Sequence, residues 1–200
     1  MQSFFSDKII NLIEALKTLP GVGKKTAQRM ALQLLDKNTD GARRIAMSID
    51  EALQAISNCD RCHMLTDKKI CDLCSGERGK SLEICVVENM LDLLAIENAA
   101  IYQGRYFVLN GRISPLDGVG PEELYLPKLE KIVEDAQISE VVLALSPSVE
   151  GETTAHYISE MLSNHGCKIS KIGFGVPFGG ELEYLDQQTL LHAFSARVNF

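Results

Sequence analysis

No run of apolar residues approaches the length needed to span a bilayer, which excludes membrane insertion. The opening residues, Met1-Gln2-Ser3-Phe4-Phe5, lack the basic start and long apolar stretch of a secretory signal. A cytoplasmic chain is therefore expected, and with it reduced cysteines rather than a disulfide framework. The spacing of a P-loop is missing too. Gly21-Val22-Gly23-Lys24-Lys25 follows a helical stretch and does not fit G-x-x-x-x-G-K-[ST], so nucleotide hydrolysis of that kind has no seat. Nor is there a finger helix of the C₂H₂ kind, and no base-reading element is visible. What remains, with 46% hydrophobic and 24% charged residues, is the composition of an ordinary folded protein large enough for a real core.

The net charge of -7 argues against a nucleic-acid partner only if it is spread evenly, and it is not. Residues 1–80 hold 13 Lys+Arg and 10 Asp+Glu (+3), leaving 7 and 17 (-10) of the chain's 20 and 27 for residues 81–200. A polyanion is the natural partner of the first part, and a cation or basic protein that of the second.

Between these parts lies Cys59-Asp60-Arg61-Cys62, followed closely by Cys71-Asp72-Leu73-Cys74. Two C-x-x-C turns on a short loop can each present two sulfurs to one edge of a tetrahedron, the arrangement zinc prefers. A redox motif would need one such pair at a strand-to-helix turn. Four thiolates leave no position for water, so the expected Zn²⁺ at Cys59, Cys62, Cys71 and Cys74 is structural rather than catalytic. Cys85 and Cys167, in apolar strand-like runs, are expected to be buried core thiols.

The first part reads as three helices. Ile9, Ile10, Leu12, Ile13, Leu16 and Leu19 recur at helical spacing over Asp7–Leu19, and Pro20 stops the run. A second helix is predicted over Lys24–Asp36, burying Ala27, Met30, Ala31, Leu34 and Leu35. A third, Asp40–Ser57, is predicted to turn Ile45, Ile49, Leu53 and Ile56 inward. The intervening Leu19-Pro20-Gly21-Val22-Gly23-Lys24-Lys25-Thr26-Ala27 looks like the helix-hairpin-helix motif of DNA-binding proteins. Glycines let the backbone approach a phosphate, and the second helix aims its free N–H groups at it. Lys24 and Lys25, in the first turn, oppose the helix dipole, so local stability does not account for them and a phosphate partner does, with Arg29 about one turn on from Lys25 as a further cation. Sequence-independent, salt-sensitive binding is expected.

Residues 81–200 alternate strand and helix as a parallel sheet does. Strands are predicted at Leu82–Val87, Tyr106–Leu109, Val141–Leu145 and Lys168–Ile172. Helices are predicted at Met90–Asn98, around Leu124–Ala136 with Pro127 a candidate break, at Thr153–Asn164, and near Thr189–Arg197 after a glycine-rich tail. Sites form at the carboxyl ends of such strands, where this chain carries Glu88 and the stretch Ser146-Pro147-Ser148-Val149-Glu150-Gly151-Glu152. That stretch resembles the Toprim domain of topoisomerases and bacterial primases, where Asp-x-Asp precedes Arg-Glu-Gly-Glu and holds Mg²⁺ with a glutamate of the first strand. Here both aspartates are replaced, by Ser146 and Ser148. The resemblance thus implies a kept fold with its metal chemistry dropped. Glu88, Glu150 and Glu152 remain as a partner-binding or vestigial acidic site, with a weakly held Mg²⁺ as a secondary expectation and a metal-dependent Toprim nuclease or topoisomerase-like enzyme as the alternative.

A helix-hairpin-helix, a Cys₄ loop, a Toprim domain with two serines and a Gly-Val-Pro-x-Gly-Gly-Glu-Leu-Glu tail, in this order, are similar to the RecR family of bacterial recombination mediators over essentially the whole chain. The expected α/β architecture is a helix-hairpin-helix arm over 1–57, a Cys₄ zinc finger over 58–76, a Rossmann-like Toprim domain over 80–173 and an oligomerisation tail over 174–200. The resemblance further implies a non-catalytic role in recombinational repair beside RecO and RecF. Those partners help load RecA on single-stranded DNA coated by single-strand-binding protein. It also implies a dimer or ring-like tetramer around DNA, nucleoid association, Lys25 and Arg29 as DNA contacts with Lys24 beside them, and RecO on the face that includes Glu150.

Overall fold

The computed structural model describes residues 4–197, so the ends of the expected arm and tail, 1–3 and 198–200, lie outside it. The chain divides into two units between Ile56 and Ser57. No helix among the described residues is long and apolar enough to cross a membrane.

The first unit holds α1 (Asp7–Lys17), α2 (Lys24–Leu32) and α3 (Thr39–Ala55). Ala27 and Ala31 are fully buried against Ile13, with Ile9, Leu12, Leu16 and Val22 packed around them. Small side chains on α2 are what let the two helices close over so short a turn. That turn needs glycine at one place: Gly21 sits at φ +77°, with Val22 N–H donating to the Leu19 carbonyl at 3.1 Å.

Two expectations for this unit fail. After Leu32 the helix widens into a π turn, Gln33–Lys37, closed by an Asn38 N–H to Gln33 carbonyl bond of 3.0 Å. The extra residue per turn breaks the 3.6 period, so Leu35 is exposed and Leu34 only half-buried, while Met30 also stays accessible. On α3, Ile45, Ile49, Leu53 and Ile56 are 51%, 55%, 78% and 42% exposed rather than turned inward. Periodicity shows that such residues share a face. It does not show that the same chain covers it.

The second unit opens with a two-residue antiparallel pair, β1 (Ser57–Asn58) and β2 (Leu65–Thr66), and a short helical turn, α4 (Asp72–Ser75). Its main body alternates β3 (Glu83–Val87), α5 (Met90–Ala99), β4 (Arg105–Val108), α6 (Leu126–Asp135), β5 (Glu140–Ala144), α7 (Val149–Leu162), β6 (Lys168–Lys171) and α8 (Gln187–Ser195). The four long strands form one parallel sheet in the order β4-β3-β5-β6, with Ile84 level with Arg105 on one side and Val141 on the other. Alternation sorts the side chains to two faces. Ile84, Val86, Phe107, Val141 and Leu143 meet α6 and α7 through Leu129, Val133, Ile158 and Leu162. Cys85, Val87, Tyr106 and Val108 meet Leu93 of α5. Cys85 is thus a buried core thiol, pushed up to about 12 by burial, and Cys167 packs half-buried at the edge of the larger cluster.

Pro127 does not break α6. It lies in the first turn, where no intrahelical N–H is required, and the helix runs on to Asp135. α7 begins at Val149, earlier than its apolar period, because Ser148 caps it by accepting the Gly151 N–H at 3.1 Å.

Candidate functional site

Three of the sequence-predicted groups can be followed into the structure. The four cysteines converge. Cys59, Cys62, Cys71 and Cys74 are buried, and their sulfurs all lie within 4.8 Å of one another. A tetrahedral zinc with sulfur at about 2.3 Å sets its sulfurs about 3.8 Å apart, so this donor set fits that ion. Two backbone N–H groups, of Arg61 and Cys71, donate to the Cys59 sulfur at 3.4 and 3.3 Å. Burial pushes the Cys59 thiol up, but the N–H donors of Cys62, Cys71 and Arg61 outweigh it and bring it down to about 7. Its neighbours go the other way. A hydrogen bond with Cys74 and burial push Cys62 far up, and burial takes Cys71 to about 11. Sulfurs this close resist ionising together unless a cation shares their charge.

The cysteine loop is fastened to the sheet. β4 is an edge strand, and its Val108 N–H donates to the Cys62 carbonyl at 2.8 Å, covering part of that edge. His63, held at φ +61°, packs tilted against Phe107 and edge-on to Tyr125, with ring centroids 4.9 and 4.2 Å apart. Its Nε2 lies 2.9 Å from the Lys128 ammonium, and burial followed by that charge lowers it to about 4. The ring is therefore neutral, with Nε2 accepting from Lys128. Sequence reasoning missed His63. A histidine directly after the second cysteine is a signal only once the loop is known to dock.

The hairpin presents a different chemistry. Gly23 precedes α2 and offers no side chain to cap its first N–H groups, and Lys24, Lys25 and Arg29 are all exposed. Lys25 and Arg29, one turn apart, share a face. No ion pair among the described residues engages any of the three, unlike Lys17, which meets Glu14 at 2.5 Å.

The three acids, by contrast, are not brought together. Among the described residues the four cysteines are the one group of three or more metal-ligating side chains that converges. Glu88 is 9% exposed at the end of β3, and its Oε1 accepts both the N–H and the hydroxyl of Ser146, each at 2.7 Å. Ser146 has spent its one hydroxyl proton on Glu88, so Ser148 is the donor across the 3.4 Å between the two hydroxyls. Ser148 in turn accepts from the Arg112 guanidinium at 3.2 Å. The result is a chain of donors ending on Glu88. A Cβ at Gly151 would stand 2.1 Å from the Ser146 carbonyl, so glycine is required where α7 passes this corner. Glu152 is paired with Lys171, while Glu150 is exposed. Glu88 is thus inaccessible as a docking surface. Sequence reasoning also missed Arg112, which has no periodic or motif signal.

An uncapped helical hairpin with exposed cations, a four-cysteine loop and a parallel sheet whose acidic corner is self-satisfied define a Toprim-type protein with a helix-hairpin-helix arm. Family profiles agree: one described as the RecR helix-hairpin-helix matches residues 9–53, the Toprim domain matches 82–173, and the RecR C-terminal region matches 175–198. Recombination protein RecR of Francisella tularensis subsp. novicida is 59% identical over 98% of this chain and 97% of its own. The protein of the same name from Francisella philomiragia is 57% identical over 98% and 96%. The chain belongs to the RecR family of recombination proteins.

Proposed function

We propose that the chain is a non-catalytic, DNA-binding mediator of recombinational repair, acting in the cytoplasm at the nucleoid. The observation that carries this reading is the state of Glu88. The carboxylate that a catalytic Toprim site would turn toward Mg²⁺ already accepts two hydrogen bonds from Ser146, and no second carboxylate joins it. A metal-dependent phosphoryl transfer needs several such charges on one ion, so the corner supports binding and packing rather than strand cleavage.

In this reading Lys24, Lys25, Arg29 and the α2 N-terminus hold phosphates without reading bases. Zn²⁺ sits on Cys59, Cys62, Cys71 and Cys74, where it supplies folding free energy and no open coordination position. The apolar stripe of α3 is covered by another copy of the chain, giving the dimer or ring-like tetramer that encircles DNA, with the tail as a second contact. Exposed Glu150, beside Val149 at 81% exposure, forms part of an acidic face for RecO, and RecF joins to help load RecA on single strands coated by single-strand-binding protein.

The test is a titration of the protein into a gapped DNA circle with Mg²⁺, reading bound fraction and strand scission together. Salt-sensitive binding with every strand intact is expected, with Lys25→Ala and Arg29→Ala each lowering affinity equally for all sequences and the salt slope by about one. Scission abolished by Glu88→Gln would establish the nuclease instead, and unchanged binding in both hairpin variants would remove the DNA role from α2.

A further inference from the structure

A divalent ion inside four thiolates carries two net negative charges, and a buried net charge requires compensation. The two N–H groups directed at Cys59 disperse part of it. Cys74 lines a cavity of about 410 Å³ together with Arg61 and Arg105. Arg61 comes from the first cysteine turn, and its guanidinium donates to the Cys74 carbonyl at 3.0 Å. Arg105 comes from the sheet: it opens β4, the strand the loop covers.

Neither arginine behaves as if its partner were a carboxylate. No ion pair among the described residues involves either one, and none joins Asp135, which lines the same cavity, to them. The Arg105 Nε is buried without a hydrogen-bond partner. Two arginines that line one cavity with Cys74, one bonded to the Cys74 carbonyl and the other with an orphaned buried donor, are placed to meet a nearby double negative charge. Protonated, metal-free thiols would not supply it, whereas a Zn²⁺-loaded tetrathiolate would.

We infer that Arg61 and Arg105 are the charge-compensating pair of the metal centre, with Arg105 the positioning residue that ties metal loading to the edge strand of the sheet. This rests on the reading of the four cysteines as a Zn²⁺ site. Outer groups of this kind typically set metal affinity by 10–100-fold. The prediction separates charge from shape, because methionine fills the space of arginine without the charge and lysine keeps the charge without the fork.

The experiment measures the zinc dissociation constant of the full chain by competition with a chromogenic chelator, and the sulfur-to-metal charge-transfer band of the cobalt form. Arg105→Met is expected to weaken zinc about 10–100-fold, Arg105→Lys to recover most of that loss, and Arg61→Met, at an exposed position, to give a smaller loss. Should Arg105→Met not fold, the lysine and Arg61 variants carry the test. Wild-type affinity in Arg105→Met, a lysine variant as weak as the methionine one, or no loss in Arg61→Met overturns the inference. A wild-type chain that binds no zinc overturns the metal reading itself, which is a separate result.

Discussion

Removing the Glu88 carboxylate tests the central claim that it holds structure rather than metal. Its Oε1 receives two hydrogen bonds from Ser146, from N–H and from hydroxyl, both 2.7 Å. Bonds to a charged acceptor contribute about 1.5–3 kcal/mol each, but Ser146 is half-buried and water partly replaces what is lost. Glu88→Ala should therefore destabilise the second unit by about 2–3 kcal/mol, lowering its melting temperature by about 5–10 °C. Glu88→Gln keeps an acceptor oxygen in place and loses only the charge assistance, so it should show about half that loss. Calorimetry on the zinc-saturated protein, with metal content checked before and after, gives both numbers. A neutral Glu88→Ala would refute the reasoning, as would a glutamine variant no better than alanine. Neither substitution should alter DNA affinity, since Glu88 lies in the other unit from the hairpin.

Cys59→Ser and Cys71→Ser should each give insoluble or unfolded protein, because metal binding supplies folding free energy in such loops; a soluble, zinc-free variant with a native circular-dichroism spectrum would contradict this. The Arg78 guanidinium grips Glu97 with two bonds of 2.7 and 2.9 Å, and Tyr106 O–H donates to the same carboxylate at 2.7 Å, so Arg78→Met should cost about 2–3 kcal/mol by urea denaturation. The hydrogen bonds from Arg78 lower the Glu97 pKa, so the stability gap between wild type and Glu97→Gln should be full above about pH 4.5 and close as the pH falls through the lower folded value; a gap that widens in acid would reverse the sign. The double variant Ser146→Asp, Ser148→Asp sets two carboxylates beside Glu88, and should be destabilised without Mg²⁺ yet regain about 2.7 kcal/mol when the ion is at a hundred times its dissociation constant. Melting curves that ignore Mg²⁺ would show that more than these two serines disables the corner.

Most of the fold was legible because the relevant signals are local. Buried parallel strands read as apolar runs: Glu83–Val87 starts one residue after its predicted bound and ends on it, and Glu140–Ala144 is shifted by one residue at each end. The cysteine cluster was legible because spacing on a short loop is itself a geometric constraint. What failed needed information that spacing does not carry. The stripe Ile45, Ile49, Leu53 has the same period whether its own chain or another copy covers it. The π turn after Leu32 leaves no mark in composition, and it changes which of Leu34 and Leu35 can reach the core. Pro127 was ambiguous because the same ring that breaks a helix interior is tolerated in the first turn. His63, Arg105 and Arg112 matter through contacts with residues distant in sequence.

The two serines also explain why one end of the sheet can be closed to chemistry without becoming unstable. Three carboxylates at the ends of β3 and β5 would repel one another and need a cation to coexist. With hydroxyls at two positions the corner satisfies itself: Arg112 donates to Ser148, Ser148 to Ser146, and Ser146 to Glu88, while Ser148 also caps α7. That end of the sheet carries its own hydrogen-bond partners, and the four cysteines that converge lie instead on the loop at the β4 edge. Of the acids left at the sheet end, Glu152 is paired with Lys171 and Glu150 is exposed beside an exposed Val149, and in the proposed reading Glu150 serves a protein partner rather than a metal ion.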